Sequence, residues 1–285
     1  MRTPVGRWPI LLLSGAMLIV AAIFAIFPDV LSPTSPLDRE RARRLALAAL
    51  GRPLAGTPDV TRLDARFAEA GVALGAPVFI RIFKLEFVLE LWLKRADRFE
   101  LFATYPICRW SGGLGPKLVQ GDKQAPEGFY AVDARALNPN SRWHRSFNLG
   151  FPNAFDRAKG RNGSFLMVHG GCSSVGCYAM TDPVIDEIWR IVTAALDAGQ
   201  PRFAVHVFPF RMSADNLARH AASPWSGFWS ELKAGYDAFE ATRLPPQVTV
   251  CGSSYAIEPV QRYMPHRSVA QQGCVRRAGI ARDPG

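Results

Sequence analysis

One glycine-rich stretch, His169-Gly170-Gly171-Cys172-Ser173-Ser174-Val175-Gly176-Cys177-Tyr178, brings an imidazole close to a thiol along the chain. That pairing suits nucleophilic catalysis. A thiol near its ordinary pKa of about 8.5 is mostly protonated at neutral pH, and a neighbouring imidazole or helix N-terminus raises the thiolate fraction. Gly176 has no side chain to block an acyl carbonyl, so the backbone N–H groups of Gly176 and Cys177 are candidate donors to the oxyanion of a tetrahedral intermediate. The same residues also have a plainer reading, because a loop cysteine is more often a small buried hydrophobe or half of a disulfide.

The elements around the motif place it between a strand and a helix. Ser164–Val168 is a short apolar run after a glycine and reads as a buried strand, with His169 at its end. Beyond the motif, Asp182 reads as an N-cap with Pro183 at N1. The set Ile185, Ile188, Trp189, Val192, Ala195 and Leu196 then keeps helical spacing until Gly199.

The motif resembles the signature of the L,D-transpeptidase (YkuD-type) family, a His-Gly pair followed by Ser/Thr-x-Gly-Cys, here His169-Gly170 and Ser174-Val175-Gly176-Cys177. Ala125-Pro126-Glu127-Gly128-Phe129-Tyr130 is similar to a second family segment. Tyr105-Pro106-Ile107-Cys108, Asn138-Pro139-Asn140-Ser141 and His206-Val207-Phe208-Pro209-Phe210-Arg211-Met212 resemble the YafK-like subgroup. The likeness runs over about residues 75–258. It implies Cys177 as nucleophile, His169 as general base and acid, and Gly176 with Cys177 as the oxyanion site. Val175 and Ala179 depart from the family pattern, which usually has His and Arg there. Arg211 is therefore the candidate replacement for a carboxylate contact, with Ser174, Gly128 and Tyr178 as further candidate substrate contacts.

The resemblance implies acyl transfer on diaminopimelate-containing stem peptides of peptidoglycan through a Cys177 thioester. Two alternatives stay open. A hydrolase of the same family would cleave the L,D-peptide bond or the amide joining an envelope lipoprotein to peptidoglycan, and an inactive wall-binding module would do no chemistry. No cofactor is expected. A metal site is not expected either, since His144, His169, His206, His220 and His266 are scattered and no Cys-x-x-Cys pair occurs.

An uncharged apolar stretch, Trp8–Phe27, is long enough at about 20 residues to cross a bilayer core of about 30 Å. Arg2 and Arg7 precede it, so residues 1–7 are expected in the cytoplasm and the remainder outside the inner membrane, in the periplasm. A cleaved signal peptide is the competing reading of residues 8–27. Residues 28–74 read as a Pro- and Ser-rich linker followed by a helical region, 75–258 as the catalytic domain, and 259–285 as a disordered basic tail. Strand signals at 78–95, 99–105, 128–135, 146–149, 164–168 and 203–210, with helices at 214–220 and 225–241, give an α+β class with a β-rich centre.

The formal charge of +10 is spread along the 285 residues without a dense basic stripe. Together with the anchor, this argues against nucleic acid and is compatible with an anionic wall polymer. The five cysteines are an odd number, so at least one is left out of intramolecular disulfides. Cys177 is the expected free thiol, and Cys108, Cys172 and Cys251 are possible disulfide partners of open connectivity.

Overall fold

The computed structural model describes residues 35–264 and the backbone of residues 271–272. The apolar segment Trp8–Phe27, its arginine flanks, His266 and Cys274 lie outside the described residues. Among the described residues no helix is long and apolar enough to cross a membrane.

The architecture is α+β, with two five-stranded sheets and a three-stranded one among the described residues. The central sheet contains β1 (Val78–Phe83), β2 (Val88–Arg95), β3 (Arg98–Pro106), β5 (Gly128–Val132) and β10 (Phe203–Phe208), in the order β3-β2-β1-β10-β5. Strands β1 and β10 are parallel neighbours and are buried along their whole length. Both faces of this sheet are therefore covered, and the alternation of side chains assigns residues to each face. Val78, Ile80, Ile82, Phe203, Val205 and Val207 enter one core, whereas Phe79, Phe83, Ala204 and Phe208 enter cores on the opposite face.

The first face is covered by a helix, α4 (Asp182–Asp197), and by the second five-stranded sheet. That sheet contains β4 (Arg109–Trp110), β6 (Leu137–Ser141), β7 (His144–Asn148), β8 (Met167–His169) and β9 (Tyr178–Ala179), in the order β4-β9-β8-β7-β6. The expected helix is present, but its N-cap is Thr181 and Asp182 is already helical. The other face is covered by α6 (Ser226–Thr242) and by the small sheet formed by β11 (Gln247–Cys251), β12 (Ser254–Glu258) and β13 (Gln271–Gln272).

The helical region before residue 75 is two helices, α1 (Pro36–Ala49) and α2 (Leu63–Ala70), separated by an irregular segment and one turn of 3₁₀ helix. Arginines dock both helices. Arg41 donates to Gly112 O and covers the Trp110 ring, Arg44 donates to Ile107 O, and Arg66 pairs with the buried Glu187 of α4. Short α3 (Ala154–Ala158) and α5 (Ala214–Arg219) complete the described helices. The ordered chain also continues past residue 258. Val260 and Tyr263 pack on a core, and the Tyr263 hydroxyl receives a hydrogen bond from Gln200 Nε2, so the expected tail boundary falls too early.

Candidate active site

The sheet register sets Cys177 and His169 on one face, two residues apart along it. Strands β8 and β9 run parallel with Val168 opposite Tyr178 and His169 opposite Ala179. Val168 and Tyr178 both point into the core. By alternation, Met167, His169 and Ala179 face the other way. Extending the register back one residue sets Cys177 beside Met167, at a strand spacing of about 4.8 Å. The contacts of the sulfur agree with that placement. Met167 N–H donates to Cys177 Sγ at 3.4 Å, and the thiol donates to Phe165 O at 3.5 Å.

His169 is buried, and its Nδ1 lies 2.6 Å from Gly170 O. A carbonyl oxygen can only accept, so Nδ1 carries the proton and neutral His169 presents its lone pair at Nε2. Gly170 O thus fixes the tautomer and orientation of the imidazole. Trp143 stands over this side chain, with ring centroids 6.3 Å apart. Across the sheet, His169 pairs with Ser146, which is buried. Burial pushes the His169 pKa below its ordinary value, partly offset by the bond to Gly170 O. Burial pushes the Cys177 thiol up, opposed by Met167 N–H and the charge of Lys117. The resting pair is therefore neutral thiol and neutral imidazole.

The loop between the strands is held from several directions. Cys172 forms a disulfide with Cys108, which adjoins β4, and Cys177 is the free thiol among the described residues. Cys251 is also disulfide-bonded. Gly171 N–H donates to Asp182 Oδ1 at 2.7 Å, so the residue expected to cap α4 ties the catalytic loop to it instead. Gly171 and Gly176 take φ values of +76° and +102°, where a side chain is strained.

The expected oxyanion donors are already occupied. Gly176 N–H donates to Ser111 Oγ at 2.5 Å, and Cys177 N–H donates to Ser174 Oγ at 3.1 Å. Ser174 also donates to Cys177 O at 2.7 Å, and the two serine hydroxyls lie 3.3 Å apart. The resting loop therefore offers neither N–H to a substrate until a hydroxyl turns away. Ser174 braces the backbone of the nucleophile.

Other expected contacts fall elsewhere. Arg211 does pair with a carboxylate, but that of the protein's own buried Glu90, at 2.7 Å, while lying over the Phe83 ring on the face away from β8 and β9. Tyr178 is fully buried and donates to Pro126 O at 2.7 Å. Gly128 is in β5, where an added Cβ would lie 3.0 Å from the Tyr255 hydroxyl and 3.2 Å from that of Tyr130, so its role is close packing. His206 is enclosed by Phe79, Phe129 and Phe208, and burial holds its pKa down at about 3. It faces the core opposite the sheet that carries His169.

The segment from 111 to 127 carries Ser111 and is anchored by a buried ion pair. Lys84 Nζ reaches Glu127 Oε1, Gly115 O and Ala125 O, each at 3.0 Å. Glu127 in turn accepts from Gly115 N–H at 2.7 Å and from Trp229 Nε1 at 2.8 Å. Two grooves flank the loop. The larger, about 740 Å³, lies among Leu45, Pro53, Val60, Cys172 and Pro183 behind the disulfide, and neither His169 nor Cys177 lines it. The smaller, about 470 Å³, is lined in part by Phe165 and Met167, and neither His169 nor Cys177 lines it either. Among the described residues no cluster of three or more His, Cys, Asp or Glu is arranged to hold a metal ion.

No family model matches the chain. It is 51% identical over 184 residues to the protein named Putative L,D-transpeptidase YafK of Escherichia coli K12, an alignment that covers 65% of this chain and 75% of that protein. The protein of the same name in Escherichia coli O157:H7 matches with the same identity and extent. Among solved structures, the helical cell shape determining protein Pgp2 from Campylobacter jejuni is a distant likeness, with 17% identity and a TM-score of 0.38 over 63% of this chain and 67% of that chain.

Proposed function

The chain belongs to the L,D-transpeptidase family, and on that premise we propose that it is a cysteine acyltransferase acting on diaminopimelate-containing stem peptides of peptidoglycan. The observation that carries this reading is a free Cys177 thiol on the same sheet face as His169, whose Nδ1 is committed to Gly170 O.

The steps follow from those groups. His169 Nε2 accepts the thiol proton as Cys177 Sγ attacks the carbonyl carbon of the diaminopimelate residue. Met167 N–H, already directed at the sulfur, favours the developing thiolate. The carbonyl oxygen becomes an oxyanion, and rotation of the Ser111 or Ser174 hydroxyl frees a backbone donor for it. Collapse breaks the scissile C–N bond. Protonated His169 gives its proton to the departing amine, leaving a thioester on Cys177. An acceptor amine then attacks the thioester carbonyl, His169 takes up the amine proton, and the new amide leaves as the thiol is restored.

Water in place of the amine would make the same thioester a hydrolytic intermediate, including on an amide that joins a lipoprotein to the wall. Product analysis separates these outcomes. Full-length protein incubated with a disaccharide tetrapeptide should give cross-linked dimers by mass spectrometry. Trimmed monomer alone would assign hydrolysis, and unchanged substrate would overturn the proposal. We place this chemistry on the periplasmic side of the inner membrane, on the strength of the Trp8–Phe27 stretch and its preceding arginines.

A further inference from the structure

The smaller groove is unused by the steps above, and although Cys177 does not line it, two residues that do are in contact with the sulfur. Its inner wall is Phe165 and Met167. The backbone of those two residues supplies the two hydrogen-bond partners of the sulfur, Phe165 O and Met167 N–H. The groove therefore lies next to Cys177, one strand away.

The outer end of the groove is rich in donors. The Arg135 side chain is 92% exposed and touches only the Asp133 carboxylate, by one contact of 3.3 Å. Such an exposed, long contact is worth little and is easily given up. Asn138 and Asn148, which also line the groove, use their side-chain oxygens to accept from Asn140 N–H and Gly150 N–H. Each amide –NH₂ is then left as a donor. One guanidinium and two amides beside one fixed carboxylate match a single negative charge, since Asp133 would repel a phosphate dianion more strongly than a carboxylate. A planar guanidinium also matches a carboxylate with two parallel hydrogen bonds.

Phe165 is the second, independent indication. It has φ of +57°, a strained conformation for an aromatic residue, and its side chain is among the most exposed large apolar groups. Burial does not account for either feature. Strain of this kind gathers at ligand clamps.

We propose that this groove binds the side chain of the residue under attack and that Arg135 is a specificity-determining residue recognising a free carboxylate at its end. The inference rests on the acyl-transfer reading for which residue occupies the thiol. It adds the requirement that this residue's side-chain carboxylate be unmodified.

Calorimetric titration of the full-length Cys177→Ala protein tests this without turnover. The probes are a diaminopimelate stem tetrapeptide with its side-chain carboxylate free and the same peptide with that carboxylate amidated. The free form should bind about tenfold more tightly. Adding Arg135→Ala should abolish the difference, and Arg135→Lys should retain part of it. Because the Arg135 side chain is almost fully exposed, these changes leave the fold intact. In the protein with Cys177 present, Arg135→Ala should raise KM for the free peptide and leave kcat close to that of the unchanged enzyme. An undiminished preference in Arg135→Ala, or no binding of either peptide to the Cys177→Ala protein, would overturn the assignment. If the peptides bind with the expected preference while the unchanged protein forms no thioester, the acyl-transfer reading fails and the groove assignment stands.

Discussion

Burial raises the Cys177 thiol above its ordinary pKa and lowers the His169 imidazole below its own, which favours the neutral form of each in the resting protein. Alkylation of the resting protein by iodoacetamide should therefore keep accelerating as pH rises past about 8.5, the ordinary thiol value. A plateau already reached by about pH 8 would mean a preformed thiolate. Acylation should show the opposite edge. A lowered His169 pKa keeps the free base available as pH falls to 6.5, so the acylation rate should halve only below that value. Replacing His169 with Gln should slow acylation about 10²-fold or more. His206→Gln should leave the rate of the folded protein near normal, because its ring lies among phenylalanines on the far side of the central sheet. The candidate pair His169 and Cys177 was visible in the motif because both residues lie in one loop, and the register sets them on one sheet face. Ser111 was not, since it reaches Gly176 from 65 positions upstream. Arg211 misled for a related reason, because the sequence shows a cation but not that Glu90 waits opposite it.

At the scale of elements, the strand-to-helix loop is a flexible glycine-rich segment made definite by its attachments. The Cys108–Cys172 disulfide closes a long loop, with a sequence separation of 64, and joins the catalytic loop to the start of β4. Replacing both cysteines with Ser should cost about 2–4 kcal/mol in thermal or urea unfolding and slow acylation. Equal stability in the double variant would show that the bridge constrains nothing. The Lys84–Glu127 pair makes a sharper case, being completely buried with every bond except that from Trp229 directed at the segment that carries Ser111. Glu127→Leu leaves the lysine unpaired and should destabilise by about 3 kcal/mol or more, whereas adding Lys84→Met should recover much of that loss. Failure of the second change to recover stability would mean that the ion pair is needed for loop geometry beyond its charge balance. Strands β1, β3, β5 and β10 and helices α4 and α6 were readable because their apolar residues keep clean periods. β11 and β12 were passed over, as short half-buried strands give a weak signal. The cap of α4 shifted by one residue because Asp182 spends its carboxylate on Gly171.

For the whole molecule, a central sheet covered on both faces separates two tasks. One face carries the sheet with His169 and Cys177 together with α4; the other, built from α6 and the small sheet, holds the buried Arg81–Glu90 pair, with the partly exposed Arg211 joined to Glu90. The apolar Trp8–Phe27 stretch adds a prediction for the full chain: it should fractionate with membranes, and a periplasmic reporter fused after Asp38 should be active. A soluble product beginning near Pro28 would instead show a cleaved signal. The central claim is the thioester, and intact-protein mass spectrometry of the full chain quenched in acid during reaction with a stem tetrapeptide tests it most directly. The account predicts one added acyl mass that maps to Cys177, is removed by hydroxylamine, and is absent from Cys177→Ala while Cys172→Ser retains it. An adduct that persists in Cys177→Ala, or the steady release of product with no adduct on Cys177 at any quench time, would contradict it.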